Sequence, residues 1–106
     1  MRKMFFLGAC CVPFTTGLAL AATGLTVDQR GLSFSVPALT IQHGGIVTFT
    51  NSDITSHNIV VTGEGVRLNS GLQTPGVPFH APFSKAGTYQ VSCAIHPRMK
   101  MTVTVK

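Results

Sequence analysis

The chain has 106 residues, with eight Lys and Arg against three Asp and Glu, and a net charge of +5. This length leaves room for one domain. Hydrophobic residues make up 44% and charged residues 10% of the chain, which excludes a disordered, highly charged polypeptide. The basic residues are scattered and are not interleaved with aromatic residues, so the composition also argues against nucleic-acid binding.

The N-terminus has the pattern of a secretory signal peptide. Arg2 and Lys3 precede an apolar stretch, and the small-residue sequence Ala-Leu-Ala follows and ends at Ala21. A basic region, an apolar segment and an A-x-A site define such a signal. The apolar run is shorter than the roughly 20 residues that a membrane span requires. We predict a signal peptide over residues 1–21, a periplasmic domain over residues 22–106, and no stable membrane span after cleavage.

Cleavage would leave Cys93 as the single thiol, because Cys10 and Cys11 lie within the predicted signal peptide. In an oxidising compartment, a cysteine without an intramolecular partner is a buried bystander, an intermolecular link, a nucleophile or a metal ligand. Removal of Arg2 and Lys3 also lowers the net charge from +5 to +3. This modest positive charge favours encounters with acidic protein surfaces.

Alternation of apolar and polar residues predicts an all-β domain. A period of two is typical of a half-buried strand. The segments with this alternation or with β-branched runs are 32–36, 39–42, 46–50, 58–62, 79–81, 87–92 and 101–106. Glycine and proline turn signals separate them, and none shows helical periodicity. We predict a sandwich or small barrel of Greek-key type with seven or eight short strands.

The candidate metal-ligating residues lie at the ends of these strands. Cys93, His96 and Met99 fall within seven residues, between the last two predicted strands, and His57 begins an earlier strand. Two imidazoles, one thiolate and a weakly bound thioether form the ligand set of a trigonal type 1 copper site. The soft sulfur atoms favour Cu(I) and the imidazoles accept both valences. We predict one mononuclear copper held by these four residues.

Each of these residues alone also has an ordinary structural explanation. A single cysteine is most often a small buried hydrophobe, and a methionine most often fills a gap in the core, which is our interpretation of Met101. Isolated histidines are usually solvated or hydrogen-bonded, as we expect for His43 and His80. Copper is favoured by the combination of a single exported thiol, the C-x-x-H-x-x-M spacing and His57 before a β-branched run.

The segment 87–99, which reads Gly-Thr-Tyr-Gln-Val-Ser-Cys-Ala-Ile-His-Pro-Arg-Met, resembles the C-terminal signature of the small cupredoxins of the plastocyanin and amicyanin type. Residues 39–51 and Ser56-His57-Asn58 resemble the region around the first ligand of that family. The resemblance therefore covers essentially the whole predicted mature chain. Two residues separate His96 from Met99, a shorter spacing than in plastocyanins, so amicyanins are the nearer relatives.

The resemblance implies a cupredoxin-like Greek-key β-sandwich and outer-sphere electron transfer through one copper, without enzymatic activity. It carries the equatorial ligands over to His57, Cys93 and His96, and the axial ligand to Met99. It also implies that the exposed edge of His96 is the electron port.

Apolar loop residues around His96 are expected to form a docking patch, with Ile95 and Pro97 in it and the positive charge of Arg98 at its rim. Encounters between electron-transfer proteins use small interfaces and dissociate quickly, and charge mainly sets the association rate. We expect a monomer with transient redox partners, such as a c-type cytochrome or a periplasmic dehydrogenase.

Ala94 departs from the family pattern, in which Ser or Thr commonly follows the cysteine and bonds to the Asn after the first histidine. We therefore expect Asn58 to join the two ligand loops through backbone groups alone. Hydrogen bonds of this kind orient metal ligands and tune the reduction potential.

Two functions of other classes stay open at this point. A periplasmic copper carrier or scavenger would prefer Cu(I) and exchange it readily. A thiol enzyme would use Cys93 as nucleophile and a histidine as base, but the sequence offers neither an oxyanion motif nor an orienting third group. A nitrite reductase would need a further domain, which 106 residues are not expected to provide.

Overall fold

The computed structural model describes residues 25–106, so the predicted signal peptide over residues 1–21 lies outside the described residues. Eight strands run through this part of the chain, which confirms the predicted all-β fold. They are β1 (Leu25–Gln29), β2 (Ala38–Ile41), β3 (Gly45–Asn51), β4 (Ile59–Gly63), β5 (Val66–Asn69), β6 (Phe79–Phe83), β7 (Gly87–Cys93) and β8 (Lys100–Val105). Within residues 25–106, no helix is long and apolar enough to cross a membrane.

The strands form two sheets. One sheet has three strands in the order β1-β3-β6, and the other has five in the order β2-β8-β7-β4-β5. Two pairs, β1 with β3 and β2 with β8, are parallel, and the others are antiparallel. Since β1 and β2 follow each other in the chain but belong to different sheets, as do β6 and β7, the chain crosses repeatedly between two layers. This is the predicted sandwich.

The core lies between the two sheets and follows from the period of two. In β3, Val47 and Phe49 are fully buried, and the alternate residues Ile46, Thr48 and Thr50 are more exposed. Met101 of β8 is buried in the same core, which confirms that it is a packing residue. Tyr89 of β7 packs edge-on against Phe83 with ring centroids 5.2 Å apart. This packing fixes β7, the strand that ends at the cysteine.

The strand predicted over residues 32–36 is wrong. The only pairing in this segment is an isolated bridge between Phe34 and Gln29. Gly31 and Leu32 have φ values of 61° and 57°, and this left-handed pair turns the chain away directly after β1. Phe34 still packs against the core, so the alternation reflects a loop that is buried on one side.

Two strands carry no clear signal in the sequence. β1 pairs in parallel with β3, so the sequence beside it lacks the hairpin turn that would indicate a strand. β5 is an edge strand in which Leu68 alone is half-buried. Short, exposed edge strands lack the alternation that identifies a strand from sequence.

Candidate metal centre

The register of β4 and β7 brings the first histidine to the cysteine. Ile59, which begins β4, pairs with Cys93, which ends β7. His57 lies just before β4, on an isolated bridge with Gln73 whose two backbone hydrogen bonds measure 3.0 and 2.7 Å. His57 and Cys93 therefore meet at one end of the sandwich.

A short closed loop carries the other two candidate ligands. The backbone N–H of Cys93 donates to the carbonyl of Met99 at 3.3 Å, and the N–H of Met99 donates to the carbonyl of His96 at 2.9 Å. These bonds fold the segment between β7 and β8 back on itself. As a result, the imidazole of His96 lies beside the sulfur of Cys93.

Three donor atoms converge at this end of the sandwich. Nδ1 of His57 and Nδ1 of His96 are 3.1 Å apart, and Sγ of Cys93 is 3.7 and 3.8 Å from them. With metal–nitrogen bonds of about 2.0 Å and a metal–sulfur bond of about 2.3 Å, a trigonal set has edges of about 3.5 Å between nitrogens and about 3.7 Å between nitrogen and sulfur. The donor set therefore fits one ion. Within residues 25–106, no other group of three His, Cys, Asp or Glu side chains could hold a metal ion.

The candidate ligands differ in their exposure to solvent. His57, Cys93 and Met99 are exposed by 0%, 1% and 2% respectively, whereas His96 is only half-buried. The site is thus enclosed by the sandwich and approaches the surface beside His96.

Asp53 orients the imidazole of His57. Its Oδ2 lies 2.8 Å from Nε2 of that ring. The backbone N–H of Leu32, followed by the His57 imidazole, lowers the pKa of the Asp53 carboxyl against the opposing effect of burial. Because an ionised carboxylate can only accept, Nε2 of His57 donates to Asp53, and Nδ1 is the ring nitrogen left to bind a metal.

Asn58 joins the two ligand-bearing segments. Its backbone N–H donates to Sγ of Cys93 at 3.3 Å, and its side-chain Oδ1 accepts the N–H of Ala94 at 2.8 Å. We expected backbone groups alone to make this link. Ala94 does use its backbone N–H, but Asn58 uses its side-chain oxygen, so that expectation is wrong for Asn58.

A buried polar cluster supports the bridge behind His57. Oε1 of Gln73 accepts a hydrogen bond from Nε2 of Gln29 at 2.7 Å. Nε2 of Gln73 donates to the carbonyls of Phe49 and Val77 at 2.8 and 2.6 Å. Gln73 is 2% exposed, so its side chain fixes the backbone to which His57 is paired.

Sequence reasoning missed the roles of Gln73 and Asp53. A carboxylate four residues before a candidate ligand histidine could have indicated Asp53, because ligand histidines usually donate their second N–H to such a group. Nothing in the sequence around Gln73 indicates its partners.

A groove of about 480 Å³ opens beside His96. Its lining residues come from the turn after β1 and from the loop between β7 and β8, which we call the ligand loop. They are Leu32, Ile95, His96, Pro97, Arg98 and Met99. Leu32 and Ile95 expose 50% and 48% of their surfaces. Both side chains are large and apolar, so the half-buried histidine is bordered by apolar surface.

The other two histidines have ordinary roles. Nδ1 of His43 lies 2.9 Å from the carbonyl of Lys106, and Nδ1 of His80 lies 2.9 Å from the hydroxyl of Thr48. Both rings are exposed. This confirms the expectation that both side chains are solvated and hydrogen-bonded.

The sandwich and the sulfur and imidazole donors at its end together define a class, the copper-binding β-proteins. Residues 21–106 match the family model described as copper binding proteins, plastocyanin/azurin family, and the chain belongs to that family. The predicted copper cofactor is therefore supported both by the family and by the donor set.

Individual relatives agree with this assignment. The chain is 33% identical to amicyanin-alpha of Methylorubrum extorquens over a 125-residue alignment that covers 100% of both chains. It superposes on a reduced tryptophan-to-tyrosine variant of amicyanin with a TM-score of 0.72 at 26% identity, covering 78% of this chain and 82% of that one. These similarities confirm the predicted cupredoxin-like fold and the resemblance to amicyanins.

A larger enzyme contains a similar fold. The copper-containing nitrite reductase of Thermus scotoductus gives a TM-score of 0.72 at 29% identity and covers 78% of this chain. The match spans 22% of the nitrite reductase chain.

Proposed function

We propose that this protein is an exported type 1 copper protein that shuttles single electrons between redox proteins. His57, Cys93 and His96 would be the strong ligands that hold the copper, and Met99 would supply the weak fourth ligand. The observation that carries the proposal is the convergence of one sulfur and two Nδ1 atoms at 3.1–3.8 Å from one another. Copper bound to these atoms would supply one-electron exchange between Cu(II) and Cu(I).

The protein holds the donors in place through its own hydrogen bonds. Asp53 fixes the ring of His57, and Asn58 contacts both Sγ of Cys93 and the amide that follows it. Preorganised ligands of this kind need little rearrangement when the charge at the site changes. A small rearrangement supports fast electron exchange.

The half-buried ring of His96 is the proposed electron port. The apolar groove around it gives a partner a small contact face, and Ile95 and Pro97 supply part of that face. Arg98 is exposed at the same groove and adds a positive charge. These features suit a transient redox partner with an acidic rim, such as a c-type cytochrome or a periplasmic dehydrogenase.

We also propose that residues 1–21 direct export and that the monomeric domain over residues 22–106 acts in the periplasm. Mass spectrometry of the protein from a periplasmic extract should give a chain that begins at Ala22. Recovery of the full chain from the cytoplasm alone would contradict export.

The electron-carrier function is tested by a potentiometric titration of the protein loaded with one equivalent of copper. We expect a reversible one-electron transition, with copper retained in both states. Met99→Leu should raise the reduction potential, because loss of a weak axial donor disfavours Cu(II). The matched control Met101→Leu changes a methionine of the core and should leave the potential unchanged.

The same experiment separates the proposed function from a copper carrier or scavenger. A carrier would release Cu(I) to a small chelator immediately after reduction. Such release, or irreversible loss of copper on the first reduction, would contradict electron shuttling and support the carrier function.

A further inference from the structure

The carboxylate of Asp53 is hydrogen-bonded to two separate segments of the chain. Oδ2 accepts from Nε2 of His57 at 2.8 Å and from the N–H of Leu32 at 3.0 Å. Oδ1 accepts from the N–H of Gly31 at 3.1 Å. The N–H of Asp53 itself donates to the side-chain oxygen of Asn51 at 2.9 Å. One carboxylate, anchored at the end of β3, therefore joins a buried imidazole to a surface turn.

The turn at Gly31 and Leu32 depends on fixed hydrogen bonds. Leu32 has a φ of 57°, in the left-handed region that residues with a branched apolar side chain rarely adopt. Two backbone bonds between Arg30 and Ser33, of 3.0 and 3.2 Å, close the turn at its ends. The two central amides donate to Asp53. The carboxylate thus satisfies the donors that hold leucine in this conformation.

The position of Leu32 matters for the groove beside His96. Its side chain is 50% exposed and lines that groove together with Ile95. Its location there follows from the turn, whose two central amides donate to Asp53. The same carboxylate also sets the ring orientation of His57. The apolar contact face and the buried candidate ligand therefore share one anchor.

We propose that Asp53 is a positioning residue that holds both the His57 imidazole and the Leu32 turn. Loss of this carboxylate would therefore change the metal centre and the groove beside His96 together. The effect of Asp53 on electron transfer rests on the proposed function. The arrangement itself is a property of the polypeptide and can be tested without a metal.

The test uses Asp53→Asn, which keeps the size of the side chain but removes its charge and one acceptor oxygen. Nitrogen-15 NMR of the metal-free protein reports the tautomer of His57 and the hydrogen exchange of the Gly31 and Leu32 amides. In the unsubstituted protein we expect the Nε2–H tautomer and protected amides. In the variant we expect mixed tautomers and amide exchange that is roughly fivefold to tenfold faster, as loss of one hydrogen bond implies.

Asp28→Asn is the matched control, because it also removes one charge from a half-buried aspartate. The carboxylate of Asp28 bonds to hydroxyls of Thr50 and Ser52 and not to the turn or the imidazole. Asp28→Asn should leave the His57 tautomer and the hydrogen exchange of the Leu32 amide unchanged. In the copper-loaded protein, Asp53→Asn should raise the reduction potential more than the control does, because an anionic partner of a ligand histidine favours Cu(II).

A variant in which the His57 tautomer changes while the Leu32 amide stays protected, or the reverse, would overturn the shared anchor. If Asp53→Asn does not fold, the unsubstituted protein decides, because an Nδ1–H tautomer or a rapidly exchanging Leu32 amide would also overturn it. A copper-loaded protein without a type 1 spectrum would contradict the proposed function but not the role of Asp53. The NMR result on the metal-free protein would still decide the role of Asp53.

Discussion

Asn58 and Ala94 connect the two ligand-bearing segments through one hydrogen bond, in which Oδ1 of Asn58 accepts the backbone N–H of Ala94 at 2.8 Å. The backbone N–H of Asn58 donates to Sγ of Cys93 at 3.3 Å. A single residue therefore contacts the candidate thiolate ligand and also fixes the start of the loop that carries His96.

We expect Asn58→Ala to keep the bond to Sγ, which uses the backbone, and to lose the bond to Ala94. The variant also loses the exposed bond from Nδ2 of Asn58 to Asn69, so the free energy of unfolding of the metal-free protein should fall by about 1–2 kcal/mol, at about 1 kcal/mol for each hydrogen bond. Urea denaturation measures this change. The copper(II) spectrum should also change, because the loop after Cys93 is less constrained.

Asn69→Ala is the control for this variant. It removes the contact between Oδ1 of Asn69 and Nδ2 of Asn58 at 3.2 Å but leaves the bond to Ala94. We expect an unchanged copper(II) spectrum. Equal spectral changes in the two variants would show that the link to Ala94 has no special role.

Gln73 should be important for stability, because both ends of its buried amide are hydrogen-bonded. Gln73→Ala leaves an amide hydrogen of Gln29 and two backbone carbonyls short of partners. Buried polar groups without partners cost about 1–3 kcal/mol each, so we expect a total loss of at least about 3 kcal/mol for these three groups. Denaturation of the metal-free protein measures it.

The neighbouring exposed residue Thr74 provides the comparison for Gln73. Thr74→Ala should change the unfolding free energy by less than about 0.5 kcal/mol, as is usual for surface substitutions. Similar losses for the two variants would mean that the buried cluster does not stabilise the bridge to His57.

The donors on the ligand loop could be predicted from sequence because they are close together in the chain. Cys93, His96 and Met99 lie between two strands with regular alternation, so their meeting requires only one short turn. His57 was placed by its position before a β-branched run and by family resemblance. The structure brings it to Cys93 through the pairing of Ile59 with that cysteine.

The remaining contacts could not be predicted because they depend on which loops meet in space. Alternation over residues 32–36 predicted a strand, but the segment begins with a left-handed turn at Leu32. That turn contacts Asp53, which lies in the loop after β3. Hydrogen bonds between distant loops leave no periodic signal in the sequence.

Asp28 should contribute to the acid sensitivity of the protein. Burial raises the pKa of this carboxyl, but hydrogen bonds from Thr50 at 2.7 Å and Ser52 at 2.8 Å oppose burial, and the pKa lies below its ordinary value of 3.8. A carboxyl with a lowered pKa stabilises the fold above its unfolded pKa. That stability is lost as the pH falls through the folded pKa.

We therefore expect Asp28→Asn to be less stable than the unsubstituted protein at pH 7, and the difference to shrink below a pH of about 4. Urea midpoints of the metal-free protein at several pH values measure the difference. Thr50→Val removes one of the two hydroxyl donors and should reduce the pH dependence in part. A difference that is constant from neutral to acid pH would contradict this account.

Arg98 should accelerate association with an acidic partner because it is exposed at the groove beside His96. We expect Arg98→Glu to slow electron transfer to a soluble c-type cytochrome several-fold at low ionic strength, and the effect to disappear as salt screens the charges. Stopped-flow absorbance measures these rates.

Arg67→Glu changes the net charge by the same amount on the edge strand β5. It should slow the reaction much less, since it lies outside the groove. If the two variants have the same effect, net charge alone sets the rate and the groove beside His96 is not the docking face.

The visible absorption spectrum of the copper(II) protein tests the central claim most directly. We expect an intense thiolate-to-copper charge-transfer band that disappears on one-electron reduction, returns on reoxidation and is absent in Cys93→Ser. A protein with an intact thiol that stays colourless after loading with Cu(II) would contradict a type 1 site at His57, Cys93 and His96.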